Sequence, residues 1–235
     1  MKIIPAIDLM DGQVVRLVKG DPNNKTVYSS NPLEIAKKWQ SAGADMLHIV
    51  DLDATLGTGS NLEIIKKMLS ELNVPVEVAG GLRDEATILE IGKTADRIVL
   101  GTLAFKDKET VLKISDSLGK KKIVISVDQI DGKIVVNGWQ QNTETPLLDG
   151  MNEFLQLGFS EFLLTSISRD GTMQGPDIES IQKACSLENA NVIASGGVSG
   201  IDDVKQLKKL NLYGVILGKA LYENKISIEE AKKVA

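Results

Sequence analysis

Lys2-Ile3-Ile4-Pro5-Ala6-Ile7-Asp8-Leu9-Met10-Asp11-Gly12 returns 120 residues later as Lys122-Ile123-Val124-Ile125-Ser126-Val127-Asp128-Gln129-Ile130-Asp131-Gly132. Each copy reads as a short apolar β-strand that ends on an aspartate and passes into an Asp-Gly turn. Two more segments are answered in the same way. Val78-Ala79-Gly80-Gly81-Leu82 corresponds to Ala194-Ser195-Gly196-Gly197-Val198, and Ile98-Val99-Leu100-Gly101-Thr102 to Val215-Ile216-Leu217-Gly218-Lys219. The chain thus reads as two half-units, about 1–118 and 119–235, each with one strand-end aspartate and one glycine pair. Such a duplication predicts a site with approximate twofold symmetry, holding an acid and a base between two anion pockets.

Strands are expected near Ile3 to Ile7, Met46 to Val50, Val76 to Ala79, Arg97 to Leu100, Ile123 to Val127, Glu161 to Leu164, Asn191 to Ala194 and Gly214 to Leu217. Amphipathic stretches alternate with them, among them Pro32 to Ser41, Leu62 to Leu72, Glu85 to Lys93, Asp177 to Lys183 and Ile201 to Leu210. Pro32 and Pro176 suit first helical turns. Eight βα units of about 29 residues predict an α/β fold, a single-domain (βα)8 TIM barrel, because a duplicated four-strand half closes naturally into a ring. The alternative is an open doubly wound sheet. Two connections are unusually long, Asp11 to Ser30 and Asp131 to Thr145, the latter with a β-like Ile134 to Val136. Both follow strand C-termini, so both are candidate lids.

Composition narrows the function classes. With 235 residues, 43% of them apolar, the chain can bury one large core. A net charge of −5 with dispersed lysines argues against a nucleic-acid partner. No stretch approaches the roughly 18 apolar residues of a membrane span, and the chain enters a strand directly, without a secretory h-region. One cysteine, Cys185, read as a small buried helix residue, fits a reducing cytosol. A cytoplasmic monomer acting on a small molecule is expected.

The chemistry stands at strand ends, where barrel active sites lie. Glycines follow the third, fourth, seventh and eighth strands, at Gly80-Gly81, Gly101-Thr102, Ser195-Gly196-Gly197 and Gly218-Lys219. Without a Cβ, backbone N–H groups there can approach an anion. A ligand with a phosphate at each end is therefore expected. The first and fifth strands face each other across a barrel, so Asp8 and Asp128 leave room for a substrate between one proton acceptor and one donor. Asp11 and Asp131, each before a glycine, look like turn residues. Metal binding, a magnesium site built from aspartates, competes for Asp8 and Asp128 and for the pair Asp51 and Asp53, but one histidine and one cysteine give no regular ligand spacing. His48, within the second strand, is either an inward core residue or a ligand contact. Trp39 reads as helix packing.

At these residues the chain resembles the ProFAR isomerase family of histidine biosynthesis. The likeness runs through Ile4 to Gly12 with Val15-Arg16-Leu17, Gly80-Gly81-Leu82-Arg83, Asp128 to Gly132 and Gly138-Trp139. It continues through Ser168-Arg169-Asp170-Gly171-Thr172, Gly175-Pro176 and Ser195-Gly196-Gly197-Val198. The resemblance implies an Amadori rearrangement of a bis-phosphorylated aminosugar, aldose to ketose, without cofactor or metal. It implies Asp8 as base and Asp128 as acid, with Asp170 the rival acid, and Thr165 orienting the substrate. It further implies Trp139 stacked on the imidazole carboxamide, and Arg16, Gly175 and the glycine-rich strand ends in substrate or phosphate binding. Arg83 is left between phosphate and an active-site carboxylate. The sister cyclase, typically with cysteine before its first aspartate, is disfavoured by Ala6 and by Leu9-Met10. Asn137, where dual-substrate isomerases tend to carry arginine, speaks against a second, anthranilate substrate. A degenerate barrel that only binds phosphoribosyl metabolites would be expected to lack one of the two aspartates.

Overall fold

The structure, a computed structural model, describes residues 1–235. Thirteen strands form in chain order: β1 (Lys2–Met10), β2 (Gln13–Val18), β3 (Asp21–Ser29), β4 (Leu47–Asp51), β5 (Val76–Ala79), β6 (Arg97–Leu100) and β7 (Ile123–Ser126), then β8 (Gln129–Ile130), β9 (Lys133–Val136), β10 (Gln141–Pro146), β11 (Glu161–Thr165), β12 (Asn191–Ser195) and β13 (Gly214–Leu217). Eight of them, β1, β4, β5, β6, β7, β11, β12 and β13, pair in parallel in that order, and β13 returns to β1. The sheet is therefore a closed ring with helices between its staves, a (βα)8 barrel, as expected.

Alternation along the staves separates two apolar layers. Ile4, Ala6, Ala79, Val99, Val124, Leu163, Ile193 and Ile216 meet inside the barrel. Residues of the opposite parity, such as Ile3, Ile49, Val78, Ile125 and Phe162, pack outward under the helices in the main core. Caps set the helix starts: Asn31, Asp84, Asp107 and Asp177 each accept a backbone N–H of the first turn, and Ser227 and Glu230 form a capping box. Pro32 opens its helix, but Pro176 does not. Asp177 takes the cap and the helix runs Ile178–Cys185, so Pro176 lies one residue before the cap. Cys185, the last residue of that helix, is half-buried rather than buried. Trp39 is buried and meets Tyr222 edge-on.

The two long connections are ordered excursions above the barrel mouth. β2 folds back antiparallel on β1, with Asp8 opposite Val15, and β3 pairs with β2. After the fifth stave, β8, β9 and β10 form a separate three-stranded sheet. Asp11-Gly12 and Asp131-Gly132, with φ of 52° and 71°, and 50° and 77°, make the matching tight turns.

Candidate active site

A cavity of about 210 Å³ opens at the C-terminal ends of the staves, and Asp8 and Asp128 both line it. Asp8 stands on the inward face of β1, two residues beyond Ala6, and Asp128 follows β7, four staves away around a ring of eight. The two carboxyl groups thus confront a common space from opposite walls.

Their surroundings differ. Arg16, carried over the mouth by β2, places Nη1 2.9 Å from Asp8 Oδ2 and Nη2 4.0 Å from Asp170 Oδ1. The guanidinium is buried, and its Nε has no partner. It fits because Gly218 offers no side chain: a Cβ there would stand 2.4 Å from Nη2. On the far wall Asp128 accepts from the Ser126 hydroxyl at 2.9 Å and the Trp139 indole Nε1–H at 2.8 Å. Burial pushes the Asp128 carboxyl above its ordinary value, while Trp139, Ser126 and Thr165 and the charge of His48 pull the other way. Asp170 is pushed up to about 6, chiefly by burial; Arg16 opposes this and the neighbouring Asp8 and Asp128 add to it. Thr165 ends β11 and lines the same cavity.

The glycine-rich ends form two rims. Gly80, Gly81, Arg83, Gly101 and Thr102 line one side of the main cavity. Ser195, Gly196, Gly197, Gly218 and Lys219 line a smaller adjoining pocket of about 20 Å³, joined to the first through Arg16, Asp170 and Ser195. Gly101 and Gly218 each precede a short helix, Thr102–Lys106 and Lys219–Tyr222, whose opening N–H groups lack intrahelical acceptors. Close approach requires glycine at two other rim positions. Gly80 and Gly196 have φ of 94° and 97°, and a Cβ would strike the backbone of Asp51 and Ser166, respectively.

Several expected residues find other partners. Arg83 donates to the Thr55 carbonyl at 2.8 Å. Thr102 Oγ1 accepts the Asn137 N–H at 2.8 Å, tying the β9–β10 loop to the rim. Gly175 lines neither pocket; its N–H donates to the Gly197 carbonyl at 2.9 Å and braces that rim from behind. Asp51 caps the helix Leu52–Leu56 and also accepts from both nitrogens of Asn61. Asp53 accepts from the Asp11 N–H and Asn61. Both carboxylates are engaged in tying loops together, which leaves them poorly disposed as metal ligands. His48 faces the cavity, with Nδ1 2.7 Å from Glu77 Oε1.

The loops interlock over the mouth. Gly20, at the β2–β3 turn, lies against the Trp139 ring, where a Cβ would come within 2.6 Å of Cε3. Lys19 N–H donates to the Asp170 carbonyl at 3.1 Å, and Gly171 packs on the Leu17 carbonyl. Sequence reading did not single out Ser126, Gly20 or Glu77. A period of two would have put Ser126 on the face of Asp128, and a glutamate inside a four-residue apolar strand was itself a signal.

Residues 2–227 match the family described as histidine biosynthesis protein. Curated relatives from Nitrosopumilus maritimus and Cenarchaeum symbiosum are 65% and 53% identical, covering 100% and 98% of this chain and 99% of each relative. A relative from Methanocaldococcus jannaschii is 38% identical over 100% of the chain and 99% of its own length. All three are named 1-(5-phosphoribosyl)-5-((5-phosphoribosylamino)methylideneamino) imidazole-4-carboxamide isomerase.

Proposed function

This chain belongs to the histidine biosynthesis protein family, and from that premise we propose that it is the isomerase that converts ProFAR to its ribulosyl isomer PRFAR by an Amadori rearrangement. The observation that carries this reading is one cavity that receives Asp8 and Asp128 from opposite walls and reaches two glycine-rich rims. A sugar tethered by a phosphate at each rim would lie between the two carboxyl groups.

The chemistry asks for an acid and a base. Protonation of the ribose ring oxygen opens the ring to a protonated Schiff base, and the ring oxygen becomes a hydroxyl. The cationic nitrogen acidifies the adjacent C2–H, so a carboxylate suffices as base. Loss of that proton gives an enolaminol; protonation at C1 and loss of the C2 hydroxyl proton give the ketone. Asp8, beside Arg16, takes the C2 proton. Asp128 donates to the ring oxygen, in keeping with the upward push of burial on its carboxyl. Trp139, once it leaves Asp128, offers a flat face to the imidazole carboxamide. That departure removes a donor that favours the Asp128 carboxylate, so ligand stacking would help Asp128 hold its proton.

A second reading makes Asp170 the donor, because its carboxyl is held near 6 and only Arg16, at 4.0 Å, faces it as a cation. Steady-state turnover of ProFAR by wild type, Asp8→Asn and Asp128→Asn tests the roles. Each substitution is expected to lower kcat by about 10²- to 10⁴-fold. An unchanged kcat would remove that residue from the mechanism. Single-turnover comparison of Asp128→Asn with Asp170→Asn assigns the donor, since release steps cannot mask chemistry there.

A further inference from the structure

Beneath the two aspartates the barrel interior holds an ionisable pair that the mechanism leaves idle. His48 on β4 and Glu77 on β5 are register partners on adjacent staves. Both point inward, two residues before Val50 and Ala79, which belong to the interior layer. Glu77 is fully buried; Oε1 lies 2.7 Å from His48 Nδ1, and Oε2 has no hydrogen-bond partner. Arg97, register partner of Glu77 on β6, reaches instead to Glu161 on β11 at 2.8 Å. His48 is thus the one basic side chain within 4.0 Å of Glu77. Of the pair, only His48 lines the cavity.

Three proton arrangements are open to such a pair. A bare carboxylate accepting Nδ1–H from a neutral imidazole leaves Nε2 as an acceptor. It also leaves an uncompensated buried anion with one unsatisfied oxygen, the costliest choice. One further proton makes either an imidazolium–carboxylate pair or a neutral acid donating to Nδ1. In both of these Nε2 carries a hydrogen. We propose that Glu77 is a positioning residue which keeps that proton on the pair, so that His48 presents Nε2–H as a donor to an oxygen of the sugar on the cavity floor. The sugar comes from the isomerase reading above; the proton arrangement does not depend on it.

The chain has a single histidine, so its imidazole nitrogens can be read without assignment. Long-range proton–nitrogen spectra of ¹⁵N-histidine protein between about pH 6 and 8 should show Nε2 protonated throughout. An Nε2 resonating as a bare acceptor nitrogen at neutral pH would overturn the proposal. Asp8, Arg16 and Asp128, which line the cavity with His48, Arg97, the register partner of Glu77, and its partner Glu161 all remain unchanged in this experiment.

With ProFAR, Glu77→Gln is expected to lower kcat roughly 10-fold or more with a small change in KM. His48→Gln, which retains an N–H donor, should keep more activity than His48→Leu. A wild-type kcat in Glu77→Gln, or an equal loss in kcat and gain in KM, would reduce the residue to packing and overturn its role. Should Glu77→Gln not fold, the wild-type spectrum still decides. Should wild type fail to turn over ProFAR, the isomerase reading falls, while the spectrum continues to test the pair.

Discussion

Gly197 has a φ of 89°, and a Cβ there would stand 2.3 Å from the Gly175 carbonyl oxygen and 3.0 Å from the Arg169 Cβ. Gly132, with a φ of 77°, has nothing within 4 Å of that position. Gly132→Ala should therefore cost only the left-handed backbone strain, about 1–2 kcal/mol. Gly197→Ala adds a backbone collision and should cost about 2–4 kcal/mol in urea unfolding. Equal costs would mean that the rim yields freely. Asp170 makes a second prediction. Its folded carboxyl is raised from an ordinary 3.8 to about 6, so its contribution to stability is fully present below about pH 4 and lost as pH rises through 6. The loss is on the order of 3 kcal/mol. Asp170→Asn, neutral at every pH, should gain on wild type in unfolding free energy between pH 4 and 7; parallel pH curves would contradict this.

The mouth is roofed by two strand excursions that meet at Gly20 and Trp139. The β2–β3 turn meets the β9–β10 loop where Gly20 lies against Trp139, and Trp139 in turn donates to Asp128. Gly20→Ala should therefore displace the indole and alter the Trp139 emission, with Trp39 as the buried internal reference. Trp139→Ala should raise KM about 10- to 100-fold, the usual range for a lost stacking face, whereas Trp139→Phe should keep most of the binding. If Phe and Ala were equally impaired, the contribution would lie in the indole N–H rather than in the ring.

The two rims lie on different sides of the barrel mouth, and the cavities they line meet at Arg16, Asp170, Ser195 and Ile216. If one ligand is gripped at both, Thr102→Ala and Lys219→Ala should each weaken substrate binding. Their free-energy effects should add within about 0.5 kcal/mol in the double variant. A silent Thr102→Ala would remove the anion pocket on that side. At the opposite end of the barrel Arg97 pairs with Glu161 at 2.8 Å, and the Asn191 side-chain amide donates to Glu161 at 2.7 Å.

The eight staves and most helices were legible because alternation and 3.6-residue spacing are local properties, as the predicted strands Val76 to Ala79, Arg97 to Leu100 and Gly214 to Leu217 illustrate. Asp8 and Asp128 were legible because a carboxyl group at the end of an apolar strand is costly without a use. β3 was not, since Asp21–Ser29 is polar and exposed almost throughout and becomes a strand only by pairing with β2. Nor could chain order reveal that Arg16 would sit between Asp8 and Asp170, residues far apart in sequence, or that Gly175 would stand behind the rim. Repetition and periodicity are written residue by residue, and they dictate a ring and the wall each carboxyl group occupies. Proton affinities, loop contacts and the partner of a buried guanidinium depend on closure of that ring, because only then do distant segments exclude water together and set each other's charge.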